Sequence, residues 1–142
     1  MLTVEELLRT KGDEIWSISP QAIVYRALEI MADKGVGALV VIDNGKVAGI
    51  FSERDYARKV ILKGKSSRET TVSELMTRTV FYVTPKNTLQ ESMALMTAKQ
   101  IRHLPVFDNG RLVGIITPGD VIKKIIAEQE HAINLLEQYV AS

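Results

Sequence analysis

Leu39-Val40-Val41-Ile42-Asp43-Asn44-Gly45-Lys46-Val47-Ala48-Gly49-Ile50-Phe51-Ser52-Glu53-Arg54-Asp55 returns 65 positions later as Leu104-Pro105-Val106-Phe107-Asp108-Asn109-Gly110-Arg111-Leu112-Val113-Gly114-Ile115-Ile116-Thr117-Pro118-Gly119-Asp120. Each version is an apolar run, an Asp-Asn-Gly turn and a second apolar run that stops at a hydroxyl residue. Asn-Gly accepts the positive backbone angles of a two-residue turn, so both stretches read as β-hairpins. The same offset holds without a gap from Ile15 to Val60 against Val80 to Ile125, with identities at Pro20/Pro85, Met31/Met96, Lys34/Lys99 and Lys59/Lys124. Upstream, Thr3-Val4-Glu5-Glu6-Leu7-Leu8 resembles Thr71-Val72-Ser73-Glu74-Leu75-Met76 at a spacing of 68. The chain is a tandem duplication.

Each copy reads as strand, helix, strand, strand, helix. First strands are expected at Ile15, Trp16 and Ile18 and at Val80 to Val83, ended by Ser-Pro and Thr-Pro. Helical spacing follows in Val24, Ala27, Leu28 and Met31, and in Leu89, Met93 and Met96 behind the capping pair Thr88 and Glu91. Gly35 stops the first of these helices. After each hairpin Ser52 or Thr117 caps a second helix, bearing Ala57, Val60 and Ile61 or Ile122, Ile125 and Ile126. A three-stranded sheet with helices on one face leaves its other face apolar. The expected architecture is therefore α/β (α+β), with two βαββα repeats packed sheet to sheet about a pseudo-two-fold axis that creates two clefts. The boundaries expected are 1–63 for the first domain, 64–70 for a polar linker, 71–128 for the second domain and 129–142 for a C-terminal helical extension.

Composition narrows the function. Over 142 residues, 18 Lys+Arg oppose 17 Asp+Glu, a net charge of +1 that disfavours nucleic acid as a partner. At 46% hydrophobic residues, a chain of this length can bury about two-thirds of its unfolded surface, which excludes disorder as its main state. No apolar run approaches the ~18 residues of a membrane span, and Glu5 and Glu6 stand where a signal peptide would be basic and then apolar, so a cytoplasmic protein without a membrane partner is expected. The absence of cysteine removes thiol nucleophiles, disulfides and thiolate metal sites. Two histidines, His103 and His131, are too few for a histidine cluster.

The βαββα repeat, the His103-Leu104-Pro105-Val106 strand, and the strand ends Gly49-Ile50-Phe51-Ser52-Glu53-Arg54-Asp55 and Gly114-Ile115-Ile116-Thr117-Pro118-Gly119-Asp120 resemble a tandem pair of CBS domains, a Bateman module of the stand-alone bacterial type. The resemblance covers essentially the whole chain. It implies a regulatory, non-enzymatic module that binds an adenosine-containing ligand such as AMP, ADP, ATP, NAD or S-adenosylmethionine, requires no cofactor, and associates as a homodimer. Ser52 and Thr117 sit where a strand meets a helix N-terminus, so their hydroxyls and the free N–H groups can hold a phosphate. By the same resemblance Asp55 and Asp120 accept hydrogen bonds from ribose, while Gly37-Ala38-Leu39 and Arg102-His103-Leu104-Pro105 border the adenine slot. Pro105 removes a ladder donor and marks the open side of its strand.

Bland readings compete with each assignment. Ser or Thr followed three residues later by an acid is also how helices are capped, although the repetition of Asp in both copies favours a shared role in capping and ligand binding. Glu53-Arg54 becomes Pro118-Gly119 in the second copy, so unequal sites are expected: Arg54 reaches a phosphate in the first, and the second borrows Arg102, His103 or a cation from its neighbour. His103 lacks the sequence partners of a catalytic triad. Gly64-Lys65-Ser66 lacks the earlier glycine of a phosphate-binding loop, whose place Lys59 occupies. Trp16, Tyr25, Tyr56 and Tyr82 are aromatics more typical of core or interface than of base stacking. Beyond Glu128 an amphipathic stripe through Ile133, Leu136 and Val140 reads either as a strap or as a dimer contact.

The expected function is thus a ligand sensor whose output passes to another, unidentified effector protein, because the chain carries no effector domain of its own. A ligand-free dimerisation scaffold and a nucleotide hydrolase using His103 or Asp120 are the alternatives.

Overall fold

A computed structural model describes residues 1–12 and 14–140. Residues 141–142 of the expected C-terminal extension lie outside the described residues. The elements run α1 (Val4–Lys11), β1 (Ser17–Ile18), α2 (Val24–Lys34), β2 (Ala38–Asp43), β3 (Lys46–Ser52), α3 (Glu53–Asp55), a π-helical stretch (Tyr56–Ile61), α4 (Val72–Leu75), α5 (Leu89–Lys99), β4 (Leu104–Asp108), β5 (Arg111–Ile116) and α6 (Pro118–Glu137). This is the mixed α/β order that the duplication predicts.

The packing units cut the chain differently from the repeat boundaries. One unit is Glu14–Val80, and the other joins the N-terminal segment, with α1, to the chain from Phe81 onward. Each lead-in helix therefore packs on the other copy's sheet. In the Glu14–Val80 unit, Val72 N–H donates to the Ala22 carbonyl at 2.8 Å, and Ile50 and Thr77 exchange backbone hydrogen bonds at 2.9 and 2.8 Å. In the other unit, Val4 N–H donates to Asn87 O at 2.9 Å and Leu89 N–H to Leu2 O at 3.0 Å. The bridges Thr71 to Ile23 and Thr3 to Thr88 join repeat-equivalent pairs of positions. Crossing lead-ins explain two glycines common to both hairpins. A Cβ on Gly49 would stand 2.6 Å from the Thr77 carbonyl oxygen, and one on Gly114 would stand 2.7 Å from Leu8 Cδ2.

Within the Glu14–Val80 unit the sheet order is β1-β2-β3, with β1 parallel and β3 antiparallel to β2. Its core joins Val24, Ala27 and Met31 of α2 to Leu39, Val41, Phe51 and Val60, and is closed by Val72 and Leu75 of α4. Asn44 and Gly45 both take positive φ, at 51° and 77°, as the hairpin turn requires, and Gly35 ends α2 in the left-handed region at 66°. Residues 64–70, expected as a linker, lie inside this unit and contact α2. α2 has no side-chain cap, and the carbonyls of Thr70 and Ser67 accept instead from Val24 N–H at 2.9 Å and Tyr25 N–H at 2.8 Å. The Arg68 guanidinium covers the Tyr25 ring at 4.1 Å.

The other unit pairs β4 with β5 in a two-stranded sheet, over a core of Val4, Leu7, Leu89, Met96, Leu104, Val106, Ile116 and Val121. The strand expected at Val80 to Val83 is reduced to a single parallel bridge, Val83 to Val106. Pro105 is the reason. Its counterpart Val40 donates to the Trp16 carbonyl at 3.0 Å, whereas Pro105 has no N–H to offer the equivalent Phe81. Lys34 over Trp16 at 4.5 Å and Lys99 over Phe81 at 5.1 Å repeat one cation–π contact in both units.

The second helix of copy one also departs from expectation. After the short α3 it widens into the π-helical stretch, where Leu62 N–H donates to Ala57 O at 3.3 Å and Lys65 N–H to Val60 O at 2.9 Å. α6, by contrast, runs 20 residues from Pro118 at its first position.

Candidate functional site

Both units bring a strand end onto a helix start through the same device. Ser52 accepts from Asp55 N–H at 3.2 Å while Asp55 Oδ2 accepts from Ser52 N–H at 3.0 Å. Thr117 accepts from Asp120 N–H at 3.2 Å while Asp120 Oδ2 accepts from Thr117 N–H at 2.9 Å. These are capping boxes with Asp in the reciprocal position. Capping is therefore a function that all four residues perform.

The two acids differ in what else they hold. Asp55 is buried, and its carboxylate also takes the Ser52 hydroxyl on Oδ2 at 3.1 Å, the Thr77 hydroxyl on Oδ1 at 2.9 Å and the Lys59 ammonium on Oδ1 at 3.0 Å. Four donors fill the roughly four lone-pair sites of a carboxylate. Lys59 reaches on to the Leu75 carbonyl at 3.1 Å, so the acid ties α3 to the crossing lead-in. Asp120 is 21% exposed and is engaged, among the described residues, through Oδ2 alone, by Thr117 N–H and by Lys11 Nζ at 2.6 Å. The same lysine donates to the Ile115 carbonyl.

The remaining residues singled out in the sequence divide by side chain and backbone. Leu39 and Leu104 are fully buried core residues, so neither side chain borders an open slot. Gly37 accepts Glu53 N–H at 3.0 Å through its carbonyl and steadies the start of α3. Ala38 lies opposite Ser52 in the ladder and Pro105 opposite Ile115, with the Pro105 carbonyl accepting Val83 N–H at 3.1 Å. Arg54 is exposed on α3. Arg102 is exposed and His103 half-buried, both immediately before β4. Tyr82 is exposed and makes an edge-on contact with Phe107, ring centroids 5.3 Å apart. Among the described residues no group of three or more His, Cys, Asp or Glu side chains is placed to hold a metal ion.

Sequence reasoning passed over Lys11, Lys59 and Thr77. Lys59 had a signal, its identity with Lys124 across the repeat, but that identity does not carry over to function. Lys124 Nζ bonds Thr10 Oγ1 at 3.1 Å instead of the cap acid. Lys11 and Thr77 enter through the crossed lead-ins, for which the sequence carries no sign.

Comparison with known proteins places these observations. The CBS domain profile matches residues 3–62 and 72–127. The solved structure of a protein with CBS domains from Burkholderia ambifaria MC40-6 is 48% identical, covers 89% of this chain and 96% of its own, and superposes with a TM-score of 0.86. The CBS domain-containing protein CBSX3, mitochondrial, of Arabidopsis thaliana is 34% identical over 97% of this chain and 71% of its own length. CBSX2, solved in complex with AMP, is 25% identical, covers 89% of this chain and 98% of its own, with a TM-score of 0.73.

Proposed function

Since the chain belongs to the CBS-domain family as a tandem pair, we propose that it is a regulatory, non-enzymatic module that binds an adenosine-containing ligand and passes the result to an effector protein. The observation that carries this reading is the acid at Asp120: part exposed, fixed at a helix start, and with one carboxylate oxygen unengaged among the described residues. A ribose diol needs such an acceptor, and a phosphate attached to that ribose meets the Thr117 hydroxyl and the N-terminal end of a 20-residue helix. AMP bound to the related CBSX2 supports the ligand class. The base is assigned to the segment Arg102-His103 before β4, because the Leu104 side chain is buried in the core and the Pro105 carbonyl is held by Val83 N–H. At the first site Ser52 and Asp55 serve the fold foremost, and Arg54 offers a phosphate contact from the exposed face of α3. Ligand signals through its differential affinity for the state that the effector recognises.

Thermal melts test this directly. AMP, ADP, ATP, NAD or S-adenosylmethionine at 100 times its dissociation constant stabilises the folded chain by about 2.7 kcal/mol, a rise of several degrees in Tm, while guanosine and cytidine analogues leave it unchanged. No shift with any adenosine compound overturns the proposal in favour of a ligand-free scaffold. Chromatographic conversion of the nucleotide overturns it in favour of an enzyme.

A second copy of this chain is the proposed occupant of the outer face of α6. Ile122, Ile126, Ile133 and Leu136 are 46–68% exposed there, a stripe at helical spacing with only Val121 of the helix buried. Lys123 lies near the start of the helix and Glu130 and Glu137 towards its end, so an antiparallel copy sets opposite charges and opposed helix dipoles side by side. Sedimentation should give a dimer for the wild-type chain and a folded monomer for Ile133→Glu. A monomeric wild type, or a dimer that the substitution leaves intact, contradicts the assignment.

A further inference from the structure

We infer that Lys11 is the residue that makes the Thr117–Asp120 site select phosphorylated over neutral adenosine ligands. The inference rests on the adenosine reading above and adds a residue to it. Copy one carries Arg54 on the turn after its hairpin, whereas the equivalent position of copy two is Gly119, preceded by Pro118. The turn of copy two thus has no cation of its own.

α1 supplies one from 109 positions away in sequence. Lys11 Nζ stands 2.6 Å from Asp120 Oδ2 and also donates to the carbonyl of Ile115, one residue before the end of β5. An ammonium has three donors. Two are engaged among the described residues, and the third is left for an anion. The lysine is 32% exposed and the aspartate 21%, so the charge sits at a partly desolvated rim where Coulomb attraction exceeds its value in water and a ligand still has access. Its backbone is firmly placed: Val4 and Leu7 of α1 are buried in the core of this unit, and Leu8 lies against Gly114. A flexible four-carbon stem on a fixed helix lets the ammonium turn to a phosphate without moving its anchor.

The ion pair therefore has two consequences. Lys11 partly neutralises Asp120, which weakens its attraction for the hydroxyls of a neutral nucleoside. A ligand that brings its own anion to Thr117 gives the ammonium a second partner, and the phosphate, lysine and aspartate form an alternating row of charge. Phosphorylated ligands gain from Lys11 and adenosine does not.

Calorimetric titration of AMP and adenosine into the wild type, Lys11→Met and Lys11→Arg tests the inference. Lys11→Met should weaken AMP about ten-fold, the scale of one partly buried charge-assisted contact, and alter adenosine less than two-fold. Lys11→Arg should keep the preference for AMP, which a loss of α1 docking would not explain. Equal losses for AMP and adenosine, or no loss for either, overturn the inference and leave Lys11 as a structural tie. Failure of the underlying reading looks different: AMP then does not bind the wild type, or binds Asp120→Ala as tightly as the wild type, and the inference falls with it.

Discussion

Gly49→Ala is expected to destabilise the fold by about 3 kcal/mol, and Gly114→Ala by only about 1 kcal/mol, although the two glycines are equivalent in the repeat. Both lie where a crossing lead-in approaches the hairpin, and they differ in what the new methyl meets. At Gly49 the contact is the Thr77 carbonyl oxygen at 2.6 Å, with Met76 Sδ and Cγ at 3.1 and 3.2 Å. That carbonyl accepts Ile50 N–H at 2.9 Å, so relieving the clash breaks a backbone bridge and lifts the segment that brings Leu75 and Met76 into the core. At Gly114 the methyl meets the end of the Leu8 side chain, 2.7 Å from Cδ2, which can rotate away. Urea unfolding midpoints measure the difference. Equal costs at both positions would show that the lead-ins do not press on the hairpins as described.

Asp55→Ala should cost about 2–3 kcal/mol and Asp120→Ala about 1 kcal/mol or less. Each loses a capping acid, but only Asp55 also ties together Ser52, Thr77 and Lys59 in a buried position. Removing it leaves the Thr77 hydroxyl and the Lys59 ammonium without that partner, and Lys59 is the side chain that joins the π-helical stretch to Leu75 at the end of α4. Lys59 is 37% exposed and regains water, which keeps the loss below that of a fully buried pair. Asp120→Ala releases a part-exposed lysine at the surface. Denaturant unfolding of the two variants side by side reads the contrast, and a larger loss at Asp120 would reverse the division of labour between the two acids.

The sequence made most of the fold legible because duplication turns weak local signals into paired ones. Two Asp-Asn-Gly turns at one offset fixed both hairpins, and Thr88 with Glu91 marked the start of α5, where a capping box forms. Glu91 is held below the usual carboxylate range by the Thr88 backbone N–H and by the Asn87 and Thr88 side chains. What could not be read was which copy each lead-in joins. Thr3 and Thr71 precede like patterns, and nothing local tells a chain whether a four- or eight-residue helix packs on its own sheet or on the other. The strand expected at Val80 to Val83 is cut to one bridge for a reason visible in the sequence, since Pro105 lacks a donor. Its consequence for the neighbouring Phe81 carbonyl depends on strand pairing, a tertiary fact.

The candidate site was legible to a similar depth. Spacing found Ser52, Asp55, Thr117 and Asp120, and the structure gives all four the capping role that competed with ligand binding. Lys59 lies four residues after Asp55 and was within reach of spacing, but Thr77, which fills the other position on that carboxylate oxygen, and Lys11, which leaves one oxygen of Asp120 unengaged among the described residues, come from the lead-ins and were not. Pro118-Gly119 in the place of Glu53-Arg54 leads to the expectation of a borrowed cation in copy two. Nothing in the sequence points to Lys11, its proposed source.

Titrating AMP into the wild-type chain, Asp120→Ala and Asp55→Ala by calorimetry tests the central claim most directly. Saturable binding to the wild type, weakened at least ten-fold by Asp120→Ala and much less by Asp55→Ala under conditions where both variants are folded, is the predicted result. A wild-type chain that gives no saturable heat with AMP, ADP, ATP, NAD or S-adenosylmethionine would contradict it.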